Sequence, residues 1–205
     1  MFRSLIAIVF AAFWLTGCGG MRLVEADVRS YATQPLVPVG ASYRFERLPS
    51  QQGDVAQQTR LEAMAQTALA KAGLQRNDVA ASYSVQVSAS MKVDPYSPWD
   101  RPSPGWGPGW NFGFGIQSGN VLIAGNSPFM GLPGFDMAGA PYYWRQVSLI
   151  IRNLGTHQVV YETHAAHDGR WADSEAVLPA MLEAALKDFP NPPPGVRRIN
   201  IEIPR

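Results

Sequence analysis

The sequence predicts an α+β fold, with two helices packed on one face of a mostly antiparallel sheet and a long insertion in the middle. Three observations carry that reading. Apolar residues recur with a helical period in two stretches, they alternate with polar residues in six others, and glycine and proline crowd one central segment. The resulting order is strand, strand, helix, strand, insertion, strand, strand, helix, strand, the pattern of a two-layer sandwich.

The first strand falls near residues 22–32, where Val24, Ala26 and Val28 alternate with Leu23, Glu25, Asp27 and Arg29. Pro35 and Pro38 break it, and residues 43–48 alternate again as far as Pro49. Leu61, Met64, Ala65, Ala68, Leu69 and Ala72 then follow the spacing of one helical face and read as core. Asp54 is placed to cap that helix, and Gly73 to close it in a left-handed conformation with Leu74 packed behind. Residues 82–92 alternate Tyr83, Val85, Val87, Ala89 and Met91 against mostly polar neighbours. Residues 142–152 and 158–166 form two further strands around the turn residues of 153–156, which predicts an antiparallel hairpin. A second helix is predicted over 174–189, its face made by Leu178, Leu182, Ala185, Leu186 and Phe189, with Pro179 starting or kinking its regular part. The run 190–194 suits polyproline rather than helix, and Ile199, Ile201 and Ile203 mark a last edge strand.

The chain has 205 residues, 46% of them hydrophobic, enough for one domain with a real core. It carries 17 basic and 16 acidic residues. Without Arg3 the balance is 16 to 16, a neutral surface with no long-range field for nucleic acid or anionic lipid. A single cysteine excludes an intramolecular disulfide.

That cysteine closes the leader. Arg3 is followed by an apolar run from Leu5 to Leu15, too short to span a bilayer permanently, and then by Thr16, Gly17 and Cys18. The tetrapeptide Leu15-Thr16-Gly17-Cys18 resembles the lipobox of bacterial lipoproteins. The resemblance implies cleavage before Cys18 and acylation of its sulfur and new amino terminus, and so a membrane partner reached through acyl chains. Gly19 rather than Asp after the cysteine implies, by the same resemblance, sorting to the outer membrane, facing the periplasm. The alternative is a plain signal or N-terminal anchor with an incidental cysteine. The expected organisation is a signal peptide over 1–17, a tether over 18–21, one domain over 22–195 and a strand or tail over 196–205.

The insertion, residues 94–141, holds 48 residues, 10 of them Gly and 8 Pro, with only four charges. Its many aromatics separate it from ordinary disordered sequence. Three readings stand side by side: a loop whose aromatics pack on the sheet, a docking surface for an envelope protein, and a surface for the membrane interface, a lipid or a glycan. Trp99, Trp106, Trp110, Phe112 and Phe114 are the candidate contacts.

No catalytic signature stands out. Gly113-Phe-Gly115 lacks the spacing of a phosphate loop, and there is no G-x-S-x-G elbow. His157, His164 and His167 cluster near Asp168, but on a strand His164 and His167 point to opposite faces, so a metal needs a turn after Ala166. They read as surface histidines at a strand end. Asp168 and Asp173 are candidates for acid/base work, and more simply a turn acid and a helix cap. The expectation is therefore a non-enzyme that needs no cofactor or metal.

The lipobox, the Tyr43-Arg-Phe45 strand, the passage LQRNDVAASYSVQV over 74–87, the Gly/aromatic insertion, the hairpin joining Val147–Ile151 to Val159-Val-Tyr161, and the Phe189-Pro190 close together resemble a lipoprotein family known as domain of unknown function 4136. The resemblance covers most of 22–195 and brings no catalytic residues. The proline-rich tail and terminal isoleucine strand depart from it. The element order is also similar to that of small envelope lipoproteins that assist larger machines, a likeness of fold only. The expectation is a lipid-anchored, periplasm-facing accessory protein. The alternative is a lipid- or glycan-binding module lined by Trp106, Trp110, Phe112 and Phe114.

Overall fold

A computed structural model describes residues 20–94 and 141–204. In chain order they form β1 (Met21–Ala32), β2 (Ser42–Phe45), a 3-10 turn (Pro49–Gln52), α1 (Val55–Lys71), β3 (Gln75–Arg76), β4 (Tyr83–Asp94), β5 (Tyr142–Asn153), β6 (Val159–Gly169), α2 (Ser174–Ala185) and β7 (Val196–Pro204). The seven strands make one sheet in the order β3-β2-β4-β5-β6-β1-β7. β2 runs parallel to β3 and β4, and every other pair is antiparallel.

Strand alternation decides which face is covered. Val24, Ala26 and Val28 of β1, Val85 and Val87 of β4, Val147, Leu149 and Ile151 of β5, and Tyr161 and Ala165 of β6 are all buried on one face. Leu61, Ala65, Ala68 and Leu69 of α1 and Val177, Met181 and Leu182 of α2 complete the core. Ile199, Ile201 and Ile203 of β7 lie beside β1 in this register and pack half-buried against the same core. No described helix covers the other face, and polar residues such as Glu25, Asp27, Glu162, Gln86 and Ser88 occupy it, as expected for an antiparallel sheet wetted on one side.

Helix ends follow the sequence signals. The Asp54 carboxylate accepts from Gln57 N at 3.0 Å. Gly73 takes φ +88°, and Leu74 N returns to the Leu69 carbonyl at 3.0 Å. In the hairpin turn, Asn153 Oδ1 accepts from the amides of Gly155 and Thr156, at 2.8 and 3.0 Å.

Three expectations need correction. β2 stops at Phe45 because side chains replace its continuation: the Gln51 and Gln58 amides donate to the Val87 carbonyl at 2.8 and 3.2 Å. α2 ends at Ala185, since Asp188 adopts φ +66° and the chain tightens into turns that seat Phe189 edge-on against Tyr161, 4.9 Å between ring centres. It starts at Ser174, so Pro179 lies inside the helix rather than at its start, and Leu178 is only half-buried while Val177, Met181 and Ala184 take the core. β6 continues to Gly169, with no turn after Ala166.

Register gives the sheet two distinct ends. Met21 pairs with Pro204, Asp94 with Tyr142, and Tyr143 with Gly169 at one end, where α2 also begins. The β5–β6 turn lies at the other.

Candidate functional site

The Met21 end carries a groove of about 650 Å³. Leu23, Glu25 and Asp27 of β1 and Ala166 and Asp168 of β6 form its floor on the uncovered face, Tyr142 and Arg198 its sides, and Gly169, Arg170 and Trp171 the turn into α2; His167 also lines it. Both ends of the 95–140 segment leave the sheet here, because Asp94 and Tyr142 are paired neighbours.

The charges of the groove are largely matched. Arg198 Nε donates to Asp27 at 3.0 Å. The Tyr142 hydroxyl donates to Asp168. Burial first, then that hydrogen bond and the Asp168 charge, push the Tyr142 hydroxyl up to about 12. Tyr142 stacks edge-on with Trp144, 5.4 Å between centres, and Trp144 is exposed beside it. Arg22 lies over the Trp171 ring at 5.1 Å and donates to Asp173 at 2.9 Å. Asp173 also caps α2 by accepting from Ala176 N at 3.1 Å. The Arg22 hydrogen bond, then the Ala176 amide, hold the Asp173 carboxyl below the usual range.

The histidines do not converge. His157 sits exposed in the hairpin turn at φ +61°. His164 stands on the uncovered face with Nε2 2.7 Å from Glu162. His167 is not a surface residue: it points to the helix-covered face, is 6% exposed, and places Nδ1 2.7 Å from the Glu25 carbonyl. Longer β6 pairing holds it there and removes the turn that would have brought it to His164. Asp168 is on the opposite face from His167 and bonded to Tyr142. Among the described residues no three His, Cys, Asp or Glu side chains are grouped to hold a metal. Cys18, Trp99, Trp106, Trp110, Phe112 and Phe114 lie outside the described residues. No described helix is long and apolar enough to cross a membrane.

Arg145 is the functional candidate that sequence reasoning passed over. It occupies the inward register of β5, in line with Val147, Leu149 and Ile151, and is 2% exposed. The signal was present: an arginine in phase with the apolar half of an alternating strand.

A single mixed sheet with two helices on one face and a groove at its end defines a two-layer α+β domain. The chain belongs to the family described as "Domain of unknown function (DUF4136)", whose model matches residues 25–191. Among solved structures it is similar to a PDZ domain protein from Parabacteroides distasonis ATCC 8503, at 14% identity and a TM-score of 0.51 over 96% of this chain. The chain spans only 42% of that protein, and at this identity the likeness is one of fold alone. It is also similar to PelC dodecamers from Paraburkholderia phytofirmans, both 12% identical over 78% of this chain, with TM-scores of 0.44 and 0.40 over 95% and 94% of theirs. TM-scores below 0.5 are too low to support an argument. No curated protein matches the sequence significantly.

Proposed function

We propose that the chain is a lipid-anchored lipoprotein of the bacterial outer membrane, facing the periplasm. In this reading it is a non-enzymatic accessory protein that contacts another envelope component. One observation supports it above the rest. Cys18 of the lipobox-like tetrapeptide precedes Met21 by three residues, and Met21 stands at the end of the sheet where the aromatic 95–140 segment is rooted. Met21, just after the tether, and Asp94 and Tyr142, which flank the segment carrying Trp106 and Trp110, thus stand at one end of the sheet. Acyl chains supply about 0.8 kcal/mol per buried CH₂, so several of them on Cys18 hold the protein without a spanning helix.

The direct test is the intact mass of protein extracted from membranes. The expected species begins at Cys18 and carries acyl chains, and Cys18→Ser abolishes both processing and outer-membrane recovery. A mature chain with a free Cys18 thiol overturns the reading.

The groove lined by Tyr142 and Trp171 favours a second reading, a lipid- or glycan-binding module that uses Trp106, Trp110, Phe112 and Phe114. Titrating lipid and glycan panels against tryptophan fluorescence decides it: saturable quenching supports the module, and no change across the panels removes it.

A further inference from the structure

A buried guanidinium is costly to desolvate and is ordinarily matched by a carboxylate. Among the described residues Arg145 has no such partner. Its Nε donates to Ser174 Oγ at 3.0 Å and its Nη2 to the Trp171 carbonyl at 2.6 Å, both neutral acceptors at the head of α2. Nη1 is buried and has no hydrogen-bond acceptor among the described residues, and the guanidinium lies over the Tyr143 ring at 5.0 Å.

Directly across the ladder stands His167. A carbonyl can only accept, so the 2.7 Å contact with Glu25 O places a ring proton on Nδ1, and in that tautomer Nε2 carries the lone pair. Nε2 is also buried and without a hydrogen-bond partner among the described residues. Arg22 reaches the same place from β1, through its contacts with Trp171 and Asp173, and its Nε is a third buried nitrogen without a hydrogen-bond partner among the described residues. The three unsatisfied nitrogens come from β1, β5 and β6 at the start of a 12-residue helix, whose first-turn N–H groups add positive potential. Among the described residues Asp173 is the carboxylate that Arg22 bonds, and it lies close enough to act on the Arg145 charge as well.

The chemistry of the unfilled positions selects the ligand. Two are donors, Arg145 Nη1 and Arg22 Nε, and one is an acceptor, His167 Nε2. Carboxylate and sulfate offer only acceptors near neutrality. Hydrogen phosphate and phosphomonoester monoanions offer acceptor oxygens and a P–OH donor on the same tetrahedral group. The groove meets this cluster at His167, which lines it together with Gly169 and Trp171, while Arg145 and Arg22 lie behind that lining. Gly169 leaves room beside the imidazole, where an added Cβ would stand 3.4 Å from Nε2.

We propose that Arg145, His167 and Arg22 bind a phosphate group, as hydrogen phosphate or a phosphomonoester, at the head of α2. This goes beyond the envelope role and does not depend on acylation.

The test is calorimetric titration of the full chain in detergent with inorganic phosphate and, separately, sulfate. Saturable phosphate binding is expected, with sulfate weaker by on the order of 10-fold or more. Arg145→Gln should weaken phosphate binding by on the order of 100-fold. Gly169→Ala sets a methyl group in ordinary contact with Nε2 at a position without positive φ. It should therefore weaken binding by on the order of 10-fold while leaving the phosphate-free melting temperature unchanged, and it carries the test if Arg145→Gln does not fold. Phosphatidate vesicles separate the sources: competition with inorganic phosphate assigns the site to a lipid headgroup, and lack of competition assigns it to free phosphate. No phosphate binding by the wild-type chain, or undiminished binding by folded Gly169→Ala, overturns the proposal.

Discussion

If Cys18 anchors the chain, the Met21 end of the sheet must rest close to the bilayer. Gly19 and Gly20 alone separate Cys18 from Met21, a reach of at most about 11 Å over the three steps. The far end is displaced by the length of the central strands. Lys92 pairs with Trp144 near the Met21 end, and Asn153 at the hairpin turn lies nine positions beyond Trp144 along β5. At 3.3 Å per residue that is about 30 Å. Fluorophores placed through Lys92→Cys and Thr156→Cys, both exposed positions, report the two ends. With Cys18 acylated and the protein in vesicles holding an acceptor lipid, energy transfer should be strong from position 92 and weak from 156, the second label lying about 30 Å farther out. A flexible 20-residue Gly/Ser extension after Gly20 should erase the contrast, since its root-mean-square span is about 25 Å. Equal transfer from both labels in the unextended protein, or stronger transfer from 156, refutes the anchor-down geometry.

Three further outcomes follow from packing and charge. Leu69, fully buried on α1, should cost about 3–4 kcal/mol when cut to alanine, read from urea unfolding midpoints; a loss below about 1 kcal/mol would mean that α1 does not sit on the sheet. Glu62, 5% exposed, accepts from Arg47 at 2.6 and 2.7 Å. Arg47→Met strands that carboxylate and should cost about 2 kcal/mol, less than for a fully buried pair because the arginine is partly solvated. Adding Glu62→Gln should restore much of the loss, and a double variant no more stable than the single would contradict the pairing. Asp173 is depressed in the folded state, so its contribution is present above the ordinary carboxylate range and disappears as pH falls through its lowered value. The stability gap between wild type and Asp173→Asn should therefore be widest near neutrality and shrink in acid, and a gap independent of pH would show that the Arg22 contact is not made.

Much of the fold was legible because alternation and helical spacing are local. The β1 alternation buries Val24, Ala26 and Val28, the Leu61–Ala72 stripe buries Leu61, Ala65, Ala68 and Leu69 and half-buries Met64 and Ala72, and Asp54, Gly73 and Asp173 cap where their chemistry allows. What was not legible depends on contacts distant in sequence. Nothing local to residues 43–48 shows that Gln51 and Gln58 will take the Val87 carbonyl and end β2 early. The length of β6 is set by pairing with β1 and β5, which keeps His167 on the covered face and away from His164. Strand order is likewise invisible locally: β1 lies between β6 and β7, although β2 follows it in the chain. At the site, Arg145 could have been found by reading the phase of its strand, whereas the approach of Arg22 and His167 to it required the register.

The central claim is that this is an anchored protein meeting an envelope component through the end of the sheet that carries its aromatic segment. In-cell photo-crosslinking tests it most directly, with the photoreactive residue at Trp106 or Trp110, the anchor intact, and Thr156 at the far end as the control. The account predicts a discrete protein adduct from positions 106 and 110 and none from 156. Adducts to lipid or glycan alone, or no adduct from either tryptophan position, would contradict it.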